Sequence, residues 1–186
     1  MCSEMQLDFI KTLMKATSQI SGLIVNIGCW DGKITKELMD VIHPSMLVCN
    51  DDWRGYWEES ENLGYVHGTV TYAQTTDVFS EFKNTMKLSK NENYIVIKQK
   101  TVEWLPTLNQ KIKFCYLNTS NDYQSTKQKI EMILPLLAEG GIICGENIKY
   151  ATKENIERAV SETIPKFRVY DNLWFWKKPK AQPTNL

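Results

Sequence analysis

Histidine is scarce in this 186-residue chain, which has only His43 and His67. Cysteine occurs five times, never as a C-x-x-C pair. These shortages exclude a Cys/His zinc site, whose ligands come in closely spaced pairs. Cys49, Cys115 and Cys144 each lie in an apolar, strand-like run, where a thiol acts as a small buried hydrophobe. A reducing compartment fits this usage, and a cytoplasmic location is expected. An excess of one charge is absent too, since 22 Lys and Arg balance 22 Asp and Glu. That leaves no general electrostatic case for nucleic acid or an anionic membrane, and neither is expected as a partner. No apolar run approaches the roughly 18 residues of a membrane span. The opening MCSEMQLDFIK lacks the basic-then-apolar order of a signal peptide. Two phosphate-binding signatures are also missing. There is no G-x-G-x-x-G, and Lys33 is followed by Ile34 rather than by Ser or Thr.

What is present is one domain's worth of chain, residues 1–178, long enough for a full core. A polar tail over 179–186 is expected to fray. The most informative stretch is 22–40, GLIVNIGCWDGKITKELMD. Its apolar, β-branched run at 23–27 suits a buried strand. Gly28 and Gly32 bracket a tight turn around Trp30. Apolar residues at Ile34, Leu38 and Met39 then fall at helical spacing. Strand, glycine turn and helix together deliver backbone N–H groups to a ligand lying over the strand end. A second strand at 46–49 ends in Asn50-Asp51-Asp52-Trp53. Asp51 lies about 20 positions past the turn, where an acid of a βαβ nucleoside-binding unit accepts from the ribose hydroxyls. Asp52 can substitute for it.

The rest alternates in the same way. A leading helix over 4–20 covers a sheet edge or the ligand site, within an N-terminal segment of residues 1–21. Residues 53–76 are polar, aromatic and glycine-punctuated, and read as a long loop covering the active site. His67, within it, is a candidate general base. A helix over 77–88, capped by Asp77 or Thr76, follows. Strands are expected at 94–97, 114–117 and 142–144, with helices at 102–105, 124–137 and 153–164. Two last strands, 167–170 and 174–177, form a hairpin. The fold class is therefore α/β: a Rossmann-like, doubly wound, mostly parallel seven-stranded sheet with helices on both faces and a C-terminal antiparallel hairpin. Ligands of such sheets bind at the carboxyl ends of the strands. Asn26–Gly28, Asp51, Thr101, Asn118 and Glu146 should converge there.

The order of these pieces resembles the class I S-adenosylmethionine-dependent methyltransferases, most of all the macrocin-type sugar and small-molecule O-methyltransferases. VNIGCWDGK stands where that family has V-E-I-G-x-x-x-G, and CNDDWRG where it has D-x-W-x-G. VIKQKTVEWLPTL is similar to V-I-x-G-D-S-x-E-x-L-P-x-L. The most specific block is YLNTSNDYQSTKQKIEMILPLLAEGGIICGENI, with its L-P-L-L-x-x-G-G core. The resemblance implies a cofactor, S-adenosylmethionine, and a methyl acceptor that is a small molecule or carbohydrate; a homodimer is compatible with it. Asn26, Gly28, Trp30 and Gly32 would form the loop at the methionine part, Asp51 or Asp52 would hold the ribose, and Thr101 would contact the adenine region. Asn118 would lie beside the sulfonium and the acceptor. Magnesium, where the relatives use it, would sit on Asn118, Glu146 and Asn147, of which only Glu146 keeps a charge. The family's base histidine is Asn121 here, so the base falls to Asp122, Glu146 or His67. Trp53, Tyr56, Trp57 and Tyr65 can stack on a sugar ring or a flat aromatic. Two other readings are a catalytically inactive cofactor-binding module on the same fold, and a dehydrogenase-like nucleotide binder, which the glycine spacing disfavours.

Overall fold

The computed structural model describes residues 2–42, 45–55, 58–60, 64–66, 70–118, 122–146, 148 and 153–181. Seven strands form one sheet: β1 (Leu23–Ile27), β2 (Leu47–Asp51), β5 (Tyr94–Lys98), β6 (Ile112–Leu117), β7 (Leu137–Gly145), β8 (Arg168–Tyr170) and β9 (Leu173–Lys177). Their order is β5-β2-β1-β6-β7-β9-β8. The first five are mutually parallel, and β9 runs antiparallel to both neighbours. β1 is the switch point, because the chain leaves it in one direction for β2 and β5 and returns on its other side with β6. That is where a doubly wound sheet opens a crevice.

Strand alternation splits the core in two. On one face Ile24, Cys49, Phe114, Tyr116 and Cys144 pack under α1 (Glu4–Lys15), α2 (Lys33–Ile42) and α4 (Val78–Met86). On the other Val25, Ile27, Cys115, Leu117 and Ile143 meet α5 (Thr101–Trp104), α6 (Tyr123–Ile133) and α7 (Lys153–Thr163). α1 starts with a reciprocal cap, Ser3 Oγ accepting from Gln6 N–H at 3.2 Å and Gln6 Oε1 from Ser3 N–H at 2.8 Å. Phe9 of α1 stacks on Tyr170 of the outermost strand at 4.1 Å, so this helix lies over the hairpin edge of the sheet, one of the two expected positions. Asp77 caps α4 through Ser80 N–H at 3.0 Å.

Several boundaries differ from the sequence reading. α1 stops at Lys15, and 16–19 is turn. α6 ends at Ile133 rather than at 137, because Pro135 has no N–H to continue the ladder. β7 begins at Leu137 and carries the Gly140-Gly141 pair inside its span. Gly141 is needed there, since a Cβ would sit 2.8 Å from the Ala138 carbonyl oxygen. The segment expected to be a loop has structure of its own. β3 (Glu58–Ser60) pairs antiparallel with β4 (Gly64–Val66), and α3 spans Val70–Thr75. Tyr56, Trp57, His67, Asn121, Asn147 and residues 182–186 lie outside the described residues.

Candidate active site

The carboxyl ends of β1, β2, β5, β6 and β7 meet at one end of the sheet. Backbone bonds fasten them: Gly28 N–H donates to Asn50 O at 2.9 Å, and Asn118 N–H to Ile27 O at 2.9 Å. The loop after β1 turns twice through positive φ, at Gly28 (84°) and Gly32 (82°). Glycine is required at the second, because a Cβ would stand 3.0 Å from Phe82. Trp30, between them, also sits at φ 47°, a costly conformation for a bulky residue. Two bonds hold it there, and a third ties their partners to each other. Asp51 Oδ2 accepts from Trp30 N–H at 2.9 Å, Asp51 Oδ1 accepts from Trp53 N–H at 2.8 Å, and Trp53 Nε1–H donates to Trp30 O at 2.8 Å. Trp53 is buried against Phe79 and Phe82, with ring centroids 4.6 and 5.0 Å away.

Asp51 is thus the clamp of the glycine loop. Burial pushes its carboxyl up from the ordinary value, with a small addition from Asp52, while the Trp30 and Trp53 N–H groups pull it down. Each oxygen accepts one backbone N–H in these bonds. A carboxylate has about four acceptor positions, and with Cys29 N–H also drawn toward this one it keeps capacity for a ribose hydroxyl. Asp52 accepts from Arg54 N–H at 3.1 Å in an exposed turn.

Thr101 and Asn26 play parts that their types alone do not reveal. Thr101 Oγ1 donates to Asn50 Oδ1 at 2.8 Å, and Asn50 Nδ2 reaches Ile97 O and Gln99 O at 3.1 and 2.9 Å. This buried link ties the start of α5 to the end of β2. Asn26 Nδ2 donates to Thr35 Oγ1 at 2.7 Å, while its Oδ1 is buried with no hydrogen-bond partner. An orphaned acceptor directly beneath the glycine loop is costly and points to a missing polar partner. The strand-end carboxylate, with an acceptor position to spare, fits an adenosyl cofactor lying over the loop.

Glu146, at the end of β7, is buried and accepts from the Tyr116 hydroxyl. Burial, and then this carboxylate, push the Tyr116 phenol well up. The Cys2 thiol is also raised, by burial and by Glu146, so the residues before α1 approach this carboxylate. Asp122 caps α6 through Ser125 N–H at 2.7 Å. Among the described residues no three His, Cys, Asp or Glu side chains gather as a metal site. An amide at Asn118 and a carboxylate already taken by Tyr116 do not suit a hard dication, which needs free oxygen donors. The expected magnesium site therefore has no support, and no step is derived through a metal.

Lys129 is a residue that the sequence reading passed over. It is buried on α6, with Nζ 2.6 Å from Ser125 Oγ. Burial lowers its pKa, opposed by Asp122, Asp52 and Asp51. A helical side chain leans toward the helix N-terminus. The signal was available as Asp122 and Lys129 on one helical stripe, seven residues apart.

A family model described as a methyltransferase domain matches residues 25–148. No curated protein matches the chain. Among solved structures, the O-methyltransferase NovP superposes with TM-score 0.67 at 14% identity, covering 94% of this chain and 80% of that one. The calicheamicin methyltransferase CalS11 gives 0.66 at 15%, covering 95% and 80%. An rRNA methylase from Streptococcus thermophilus gives 0.61 at 14%, covering 95% of both chains. At these identities the likeness is one of fold.

Proposed function

The chain belongs to the methyltransferase-domain family, and from that premise we propose that it moves a methyl group from S-adenosylmethionine to a hydroxyl of a sugar, a glycan or a similar small molecule. The observation that carries the cofactor half is the Asp51 clamp, in which a strand-end carboxylate accepts from the glycine loop at Trp30 N–H and from the turn after β2 at Trp53 N–H. Asp51 holds the ribose. Gly28, Trp30 and Gly32 present loop backbone to the methionine part, with Asn26 below them, and Thr101 fixes the wall beside the adenine. When bound, the cofactor supplies an electrophilic methyl on a sulfonium. The chain's share of the rate is then alignment of that methyl with the acceptor oxygen. A sugar hydroxyl loses its proton only late in such a transfer, so a modest base suffices. Asp122 and Glu146 are the described candidates; His67 is the third. The acceptor half is supported by the sequence blocks shared with macrocin-type enzymes and by the likeness in fold to CalS11, a TDP-rhamnose 3'-O-methyltransferase; the likeness to the O-methyltransferase NovP supports an oxygen acceptor.

Calorimetry with S-adenosylhomocysteine, followed by methyl transfer to a panel of deoxysugars, glycans and catechols, tests this reading. Binding in the micromolar range and transfer to a sugar hydroxyl are expected. Binding without transfer to any acceptor would leave a cofactor-binding module, and transfer to catechols alone would overturn the sugar assignment.

A further inference from the structure

The opposite end of the sheet holds a cavity that the proposed reaction does not use. It has a volume of about 270 Å³ and lies between the C-terminal ends of α1 and α2 and the starts of β1 and β6. Ile24, Met14, Val41 and Ile42 give it apolar walls, and Lys15, Ser18, Ser45 and Lys113 line it too. Lys15 and Ser18 are exposed and mark its rim.

Lys113 is the unusual member. It interrupts an apolar run, Ile112 to Leu117, in a strand buried along its whole length. Leu23 pairs with Ile112 and Ile24 with Phe114, so Lys113 is the extra residue of a bulge. A bulge re-aims a side chain that would otherwise follow the alternation of the strand. The result is a lysine only 9% exposed whose ammonium makes no hydrogen bond or ion pair to any described residue. The other equally buried lysine, Lys129, has Ser125 Oγ at 2.6 Å. Among the described residues no acidic side chain lines the cavity. The negative ends of the α1 and α2 dipoles make a cation tolerable here, but they do not replace a counter-charge.

We propose that this cavity is a second binding site, for a small organic carboxylate whose anionic end pairs with Lys113 and whose aliphatic or aromatic body lies on Ile24, Met14 and Ile42. Its volume equals roughly nine waters at about 30 Å³ each, which suits a monoanion of modest size and not a nucleotide. The apolar walls argue against inorganic phosphate, which has no surface to bury. The site sits at the strand amino ends, so it neither competes with the cofactor nor depends on the methyl-transfer reading.

Thermal shift and ligand-observed NMR on the full chain test the proposal, with hexanoate, hexanamide and inorganic phosphate as probes. Hexanoate should bind at least tenfold more tightly than hexanamide and raise the melting temperature, whereas phosphate should not. Lys113→Met keeps the apolar stem and removes the charge. It should fold, melt higher than the parent without ligand, and lose at least tenfold in hexanoate affinity while still binding S-adenosylhomocysteine normally. Equal binding of hexanoate and hexanamide by the parent chain, an equal shift with phosphate, or undiminished hexanoate binding by Lys113→Met would each overturn it.

Discussion

Removing the carboxylate of Asp51 does two separable things. It takes away the proposed ribose acceptor, and it strips the partner from the Trp30 and Trp53 N–H groups. Asp51→Ala should weaken S-adenosylhomocysteine binding at least tenfold, about 1.4 kcal/mol. It should also cost about 1–3 kcal/mol of stability for each N–H left unpaired and buried. Asp52→Ala, in an exposed turn, should change affinity less than about twofold. Calorimetry and urea titration of both variants check this, and the reverse order of affinities would move the ribose to Asp52. The pH dependence follows from the direction of the shift. The carboxyl is raised above its ordinary 3.8, so acidification removes its charge before a solvent-exposed aspartate would lose it. Cofactor affinity should therefore begin to fall at a pH above 3.8, and the fall should vanish in Asp51→Ala. For stability the sign is opposite, because the folded state holds this proton more tightly, and the ionised group opposes folding as pH rises through the window. Spacing alone singled out Asp51 as the strand-end acid. Its clamp on Trp30 was not legible, because nothing local in W-D-G announces a left-handed tryptophan held by a residue 21 positions on.

At the scale of elements, the tightest constraint falls where β6, β7 and β9 pass one another. A Cβ on Gly145 would stand 2.6 Å from Leu117 O and 2.8 Å from the Trp174 ring, with Trp174 fully buried. Neither neighbour can yield, since one is backbone and the other is packed in the core. Gly145→Ala should cost about 1–3 kcal/mol by overpacking, read as a lower urea midpoint at unchanged slope. It should also disturb Glu146, the next residue, so turnover is expected to fall alongside stability. An unaltered midpoint would mean that β9 does not press on this strand. The alternation of strands and helices, and the closing hairpin, were legible because their periodicities are strong. The end of α6 was missed because Leu134, Leu136 and Leu137 continue an apolar pattern that Pro135 breaks physically. The short β3–β4 pair was missed because its strands are three residues each, below the length at which alternation is readable. The Lys113 bulge gave no sequence signal at all, because a bulge is a property of pairing between strands and not of one strand.

For the whole molecule, the fold admits acceptors of very different size, because an rRNA methylase shares it as the TDP-rhamnose 3'-O-methyltransferase CalS11 does. Charge decides between them more directly than shape. The chain is balanced at 22 basic and 22 acidic residues, so any affinity for a polyanion must come from a local cluster. The sheet end that carries the site offers a small one: Lys98, at the end of β5, lies 4.3 Å over the Phe79 ring, and Lys83 of α4 lies 4.9 Å over the same ring. Two or three such lysines can neutralise two or three phosphates. By counterion release that gives a slope of log affinity against log salt of about −2 to −3 for a duplex, far short of a protein that grips RNA along many phosphates. Anisotropy with a labelled hairpin RNA should accordingly show weak binding at 50 mM salt that fades by 200 mM. Methyl transfer to a small hydroxyl acceptor should barely change over the same range. Tight RNA binding that persists at 200 mM, with methyl incorporation into the RNA, would reverse the assignment of the acceptor while leaving the Asp51 clamp and the cofactor site intact.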